Sequence, residues 1–267
     1  MRLVLTATRN ALVDRTLKWA VDLQQWELTW RTGIYPGEMA AFLGLCDATG
    51  AAAIVESGRG LDAYSTHVLG RYAAKTGTRV VSIDQELDPV RGAECRRALS
   101  QYSDVECVVG DAFDVFASSV ALLPPPVAIL LDGPKAFLAN RLSLVASCMF
   151  SVVAVAHHNS DPGVPWTDQF VRLFPGAYHY ESLALEEQEE WRRFKQWEAE
   201  AVDGYEVEGT PGRSLSRSSL VLTSVPHGRQ SASQLGALGG WGSTLTARRL
   251  MARWNRDRAR VMRGDSR

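Results

Sequence analysis

AAAIVESGRGLDAYST, residues Ala51 to Thr66, decides how the rest of the chain is read. Ala52, Ala53, Ile54 and Val55 form an unbroken apolar run, which suits a strand covered on both faces, as in a parallel sheet. The run ends in Glu56 and passes through Gly58 and Gly60, where glycine permits a sharp turn and a close approach of backbone to a ligand. Ser65 and Thr66 then open a helix whose unpaired amides face the same space. Taken alone, such a turn is either an ordinary strand-to-helix connection or a nucleotide-cofactor site.

The spacing downstream bears on that choice. A second apolar strand, Arg79 to Ile83, begins nineteen residues beyond Gly60 and ends in Asp84, placed to accept hydrogen bonds from ribose hydroxyls. A third run, Val105 to Val109, ends in Gly110-Asp111-Ala112-Phe113. A fourth, Val127 to Leu131, follows the stiff Pro124-Pro125-Pro126 and ends in Asp132-Gly133-Pro134-Lys135. Crossover helices are expected at Ser65 to Thr76, Asp88 to Tyr102 and Asn140 to Met149, and strands at Phe150 to Ala156, Ala177 to Leu183 and Ser218 to Val225. Alternating strands and helices imply right-handed crossovers and a doubly wound sheet.

A glycine turn after strand one, an acid after strand two, Gly-Asp-Ala after strand three and an acidic tip after strand four form an ordered set. With it the chain resembles the class I S-adenosylmethionine-dependent methyltransferases over residues 33 to 225. The third glycine of the commonest family turn is replaced here by Leu61-Asp62-Ala63-Tyr64. The resemblance implies an α/β fold with a Rossmann-like methyltransferase sheet of about seven strands and flanking helices, and S-adenosyl-L-methionine as cofactor. It implies that Glu56, Gly58 and Gly60, with Ser65 of the following helix, line the methionine and ribose side. Asp84 would bind the ribose diol, and Asp111 and Ala112 would address the adenine.

Ligands of open parallel sheets bind beyond the carboxyl ends of the strands, so Asp132, Lys135, His157, His158 and Asn159 are expected to converge there. Asp132-x-x-Lys135 followed by His158-Asn159 resembles the pattern of the catechol and caffeoyl-type O-methyltransferases. That resemblance implies a divalent metal held by Asp132, His158 and Asn159, with Asp132 and Lys135 catalytic in deprotonating a small-molecule hydroxyl for O-methylation. His158 stands where the family has a second carboxylate. An all-oxygen site suits magnesium, and an imidazole shifts preference towards manganese, iron, nickel or zinc. The alternative is that Asp132 orients cofactor or substrate and that His157-His158 is a polar strand end.

With 267 residues, 46% hydrophobic and 22% charged, the chain suffices for one large α/β domain with extensions. The expected layout is N-terminal helices in 1–50, a cofactor-binding catalytic domain in 51–225, a flexible Ser/Gly-rich linker in 226–244 and a basic surface helix in 245–267. The overall charge is −1, yet residues 248–267 hold eight arginines against two aspartates, leaving −7 for the remainder. Cys46, Cys95, Cys107 and Cys148 lack Cys-x-x-Cys spacing and read as reduced thiols. No apolar run reaches the roughly twenty residues that cross a bilayer, and the N-terminus has no signal-peptide pattern, so a cytoplasmic protein without a membrane partner is expected.

Ala11 to Trp30 has helical periodicity, and Glu186 to Val202 reads as an amphipathic helix with Trp191, Phe194 and Trp197 on one seam, a lid or homodimer element or a core-facing helix. Two competing functions remain at this stage. One is a non-catalytic or nucleic-acid-associated module using the arginine tail, against which the acidic remainder and the scarcity of stacking aromatics count. The other is a nicotinamide-dependent enzyme, against which Gly110-Asp111-Ala112 counts.

Overall fold

The computed structural model describes residues 34, 36–60, 63–158, 160, 163–179, 220–225, 232–238 and 241–265. The expected helices at 11–30 and 186–202 lie outside them.

The apolar runs become strands and the segments between them helices. In chain order these are α1 (Pro36–Thr49), β1 (Ala53–Ser57), α2 (Tyr64–Thr76), β2 (Arg79–Asp84), α3 (Pro89–Leu99), β3 (Val105–Val109) and α4 (Ala112–Val120). There follow β4 (Val127–Leu131), α5 (Phe137–Met149), β5 (Val152–His157), α6 (Pro165–Leu173), β6 (Tyr178–His179), β7 (Val221–Ser224), a 3-10 helix (Ala232–Leu238) and α7 (Trp241–Met262). The seven strands form one sheet in the order β3-β2-β1-β4-β5-β7-β6. β1 to β5 run parallel, while β7 pairs antiparallel with both β5 and β6. The order reverses between β1 and β4, so the chain leaves these neighbouring strands in opposite directions and opens a crevice at their carboxyl ends.

Strand alternation divides the core into two layers. Ala53 and Val55 of β1 face a cluster that includes Phe116, Leu142, Phe170 and Trp254, whereas Ile54 faces one built from Phe42, Leu45, Val68 and Leu69. Helices α1 and α2 therefore cover one face, and α4, α5, α6 and α7 the other. Both faces of β1 and β4 are buried throughout, as their continuous apolar runs require.

Two expectations for the C-terminal part are corrected. The linker reading of 226–244 fails at 232–238, where the 3-10 helix buries Leu235 and Leu238 and Gln169 donates through Nε2 to the Leu238 carbonyl at 2.6 Å. The basic helix, read as a surface element from 245, begins at Trp241 and is part of the core. Ala247, Leu250 and Trp254, at i, i+3 and i+7, form its buried stripe. Trp254 is fully buried, stacks on Phe116 with ring centroids 5.1 Å apart, and donates its indole N–H to the Phe113 carbonyl at 2.8 Å.

Candidate active site

On the β1–β2 side the acidic tips are spent on the protein itself. Glu56 is fully buried; its carboxylate accepts hydrogen bonds from Ser65, from Thr66 at 2.5 Å and from Ser82 at 2.6 Å. The β1–β2 register sets Ser82 directly opposite Glu56, and α2 delivers the other two hydroxyls. Burial pushes the Glu56 carboxyl upward, with the three hydroxyls and Arg59 pulling against it. Glu56 and Ser65, expected against the cofactor, thus form an internal network and are not among the residues that line the cavity described below.

Asp84 does reach the site, but with its carboxylate largely committed. Oδ2 accepts from the Arg59 and Gly60 amides at 2.8 and 3.1 Å, and Oδ1 from the Glu86 amide at 2.7 Å. A carboxylate offers about four lone-pair directions, so about one remains for a ribose hydroxyl. Asp84 is therefore first of all the clamp that shapes the glycine turn. The Arg59 side chain supports the same turn from below, bonding the Ser82 carbonyl at 2.9 Å and the buried Glu86 carboxylate at 2.5 Å. Arg96 also pairs with Glu86.

The two halves of the crevice are pinned together by glycines. Ser57 accepts through its carbonyl from the Asp132 amide at 2.7 Å and the Gly133 amide at 2.5 Å. A Cβ on Gly58, whose φ is +98°, would overlap the Gly133 backbone. Gly60 differs: its φ of +68° favours glycine, but a Cβ there would meet no atom within 4 Å. Gly58 is thus required for the approach of β4 to β1 as well as for any approach of a ligand.

A cavity of about 470 Å³ opens over this junction. Its walls include Gly58 after β1, Asp84 and Gln85 after β2, Asp111 to Phe113 after β3, and Gly133 to Lys135 after β4. Asp111 also caps α4, accepting from the Phe113 amide at 2.7 Å, and holds Gln85 Nε2 at 2.7 Å. Asp111 and Ala112 thus line one end of the cavity, whose volume lies in the range of small-molecule sites.

The β4–β5 side is organised by ion pairs. Asp132 Oδ1 accepts from the Lys135 ammonium and from His158 Nδ1 at 2.7 Å. His158 Nε2 lies 3.7 Å from Glu38 Oε2 of α1, and both of those side chains are fully buried. Burial raises the Asp132 carboxyl, but His158 and Lys135 outweigh it and bring its pKa down to about 2. The ionised carboxylate can only accept, so the His158 proton facing it sits on Nδ1. His157 is buried against Phe170 with neither ring nitrogen hydrogen-bonded among the described residues; burial, with Lys135 and His158 adding to it, drives its pKa to about 3 and keeps it neutral.

The expected metal set is not assembled by these residues. Among the described residues, no group of three His, Cys, Asp or Glu side chains is disposed to hold a metal ion, and Asn159 lies outside them. Asp132 Oδ1 already carries the Lys135 ammonium, which a metal would have to displace. Asp132 and His158 are engaged with each other, and the chemistry below rests on Asp132 and Lys135. All four cysteines are free; Cys46 and Cys148 are buried. Among the described residues, no helix is long and apolar enough to cross a membrane.

Several residues of the site had no announcement in the sequence. Glu38, in the first turn of α1, comes to His158 from 120 positions earlier, and only its place just after Pro36 marks it as a helix-start acid. Leu138 completes the cavity wall one turn beyond Lys135.

No family model and no curated protein matches the chain. Solved structures are similar in fold. One is a presumed O-methyltransferase from Klebsiella pneumoniae, 17% identical over 64% of this chain and 81% of that one, with a TM-score of 0.43. Another is the Podospora anserina methyltransferase PaMTH1 bound to SAH, 12% identical over 81% and 88%, with a TM-score of 0.41. A third is coclaurine N-methyltransferase bound to N-methylheliamine and SAH, 12% identical over 83% and 88%, with a TM-score of 0.33. Likenesses this distant decide nothing about function. The strand order, the antiparallel β7 and the crevice at the β1–β4 reversal define a Rossmann-like α/β fold with a seven-stranded mixed sheet.

Proposed function

We propose that the chain is an S-adenosylmethionine-dependent methyltransferase acting on a small-molecule hydroxyl. The observation that carries this reading is the single cavity that runs from Asp111 and Ala112, across Asp84 and Gly58, to Lys135. An adenosyl group fits the Asp111 end, where Gln85, Ala112, Phe113 and Leu138 combine polar and apolar walls. The amino-acid end would then lie along Ser57, Gly58 and Gly133.

The donor, when bound, supplies an electrophilic methyl on a sulfonium sulfur. Methyl transfer to an acceptor oxygen would balance with the electron pair of the broken carbon–sulfur bond left on the departing thioether. A hydroxyl is a poor nucleophile until its proton leaves, so the site must stabilise an oxyanion. A carboxyl with a pKa of about 2 is a poor proton acceptor, and Asp132 is not among the residues that line the cavity, so its part is to hold and orient the Lys135 ammonium. The Lys135 side chain, half exposed at the rim, stabilises the developing oxyanion while the proton passes to water. His158, buried between Asp132 and Glu38, is a positioning residue that fixes the carboxylate's direction. Ala136, at φ +54°, holds the turn that aims Lys135 into the cavity, and backbone strain of this kind concentrates at functional sites.

Calorimetric titration with S-adenosylhomocysteine tests the reading. Saturable binding and a rise in melting temperature are expected. Neither heat nor a thermal shift at millimolar ligand would overturn it.

A further inference from the structure

Beside the proposed cofactor cavity lies a second one of about 420 Å³, and the two share Phe113 and Leu138 as a common wall. Its rim carries Arg141 of α5 and Arg249, Arg253 and Arg256 of α7. The three α7 arginines stand at i, i+4 and i+7 and so project from one face of the helix. Buried Leu250 joins Phe113 and Leu138 in the floor.

Among the described residues this charge is balanced only in part. Arg253 is held by Asp114 at 2.6 Å and by the Phe113 carbonyl. Among the described residues, Arg141, Arg249 and Arg256 have no acidic partner within salt-bridge distance, and the Arg141 Nε–H is buried without a hydrogen-bond acceptor. Three guanidiniums without an acidic partner among the described residues stand around an apolar hollow and repel one another, and a low-dielectric wall focuses their field into it. In a chain whose remainder is acidic, this concentration of positive charge stands apart.

We propose that this second cavity is a binding site for an organic phosphate, a small molecule that presents a phosphoryl group to Arg141, Arg249 and Arg256 and rests an apolar body on Phe113, Leu138 and Leu250. Planar guanidinium forks match phosphoryl oxygens in paired hydrogen bonds, which an ammonium rim would not do. The apolar floor selects against the bare inorganic ion. The site stands whether or not the neighbouring cavity transfers methyl groups, because its residues, apart from the shared wall, are separate.

The test is calorimetry on the full chain at low salt with phenyl phosphate and with inorganic phosphate. Phenyl phosphate is expected to bind with a millimolar or lower Kd, at least about tenfold tighter than inorganic phosphate, and to weaken as salt is added. The double variant Arg249→Gln/Arg256→Gln should lose about tenfold or more in that affinity, whereas Arg248→Gln/Arg260→Gln, which removes equal charge from the same helix outside the cavity, should change it less than about twofold. Should the first double variant fail to fold by circular dichroism, Arg141→Gln carries the same expectation. Absence of heat with phenyl phosphate at about 10 mM, equal losses in the two double variants, or no preference over inorganic phosphate would each overturn the proposal. S-adenosylhomocysteine titrated into the same samples reports on the methyltransferase reading separately.

Discussion

Glu56 and Asp132 stand at the tips of neighbouring parallel strands, β1 and β4, yet their surroundings push them in opposite directions. Glu56 sees three hydroxyls and no solvent, and burial raises its pKa. Asp132 sees an ammonium and an imidazole, keeps 15% of its side chain exposed, and titrates at about 2. The same residue class near the ends of adjacent strands, with Glu56 opposite Leu130 and Asp132 two residues further on, is therefore a structural rivet in one case and a charged site element in the other. What separates them is the partner that neighbouring helices deliver: α2 brings Ser65 and Thr66 to the first, while the turn before α5 brings Lys135 to the second. An acidic strand tip says little about chemistry until its partners are known.

The most severe way to break the comparison is to separate the two strand tips. Gly58→Ala places a methyl inside the Gly133 backbone, and we expect a loss of at least about 3 kcal/mol in urea denaturation together with S-adenosylhomocysteine binding. Gly60→Ala meets no atom and strains only φ, so it should cost about 1 kcal/mol; equal losses at the two positions would mean that close approach is not what Gly58 provides.

Next in size is the functional contrast. Asp132→Asn should lower methyl-transfer turnover at least about tenfold, or about 1.4 kcal/mol of barrier, with S-adenosylhomocysteine affinity nearly unchanged. Lys135→Met should act alike. If Asp132→Asn instead lowers melting temperature and cofactor affinity together, Asp132 is a structural tip like Glu56, and the contrast disappears.

A subtler pair of effects lies in pH. Glu56 has a raised folded pKa, so its ionisation disfavours the fold: wild-type stability should decline as pH rises from the ordinary carboxyl value to the raised one, and Glu56→Gln should remove that decline. Asp132 has a depressed folded pKa, so it contributes stability above the ordinary carboxyl value, about 2 kcal/mol at most, that is lost as pH falls towards 2. Urea denaturation of wild type, Glu56→Gln and Asp132→Asn across the acid range should give slopes of opposite sign for the two sites. The smallest expected effect is at Ala136, where Ala136→Gly relieves a positive φ and should add less than about 1 kcal/mol of stability while freeing Lys135 enough to reduce turnover.

Much of the framework was legible because burial on both faces forces continuous apolar runs, and β1 and β4 announce themselves that way, while β2 and the half-exposed edge strand β3 show through their valines. Their acidic ends were legible too. What was not legible is where each carboxylate points. The Ser82 hydroxyl reaches Glu56 through strand register, and Glu38 approaches His158 from a helix at the far end of the sequence; neither contact leaves a local pattern. Spacing alone likewise cannot tell a coordinating Asp132 from one paired with Lys135, as it is here. At the C-terminal part composition misled: serines and glycines hid Leu235 and Leu238, and the arginines of α7 drew attention away from the Ala247, Leu250 and Trp254 stripe.

That stripe has an optical consequence. An indole sealed from water and stacked on Phe116 emits at the blue edge of the protein's fluorescence, apart from any tryptophan that water reaches. Its N–H is tethered to the carbonyl of Phe113, whose side chain belongs to the walls of both cavities. Trp254 is accordingly a built-in gauge: a ligand that moves Phe113 from either side should shift or quench the blue-edge emission, and excitation of the unlabelled protein would follow both occupancies in real time.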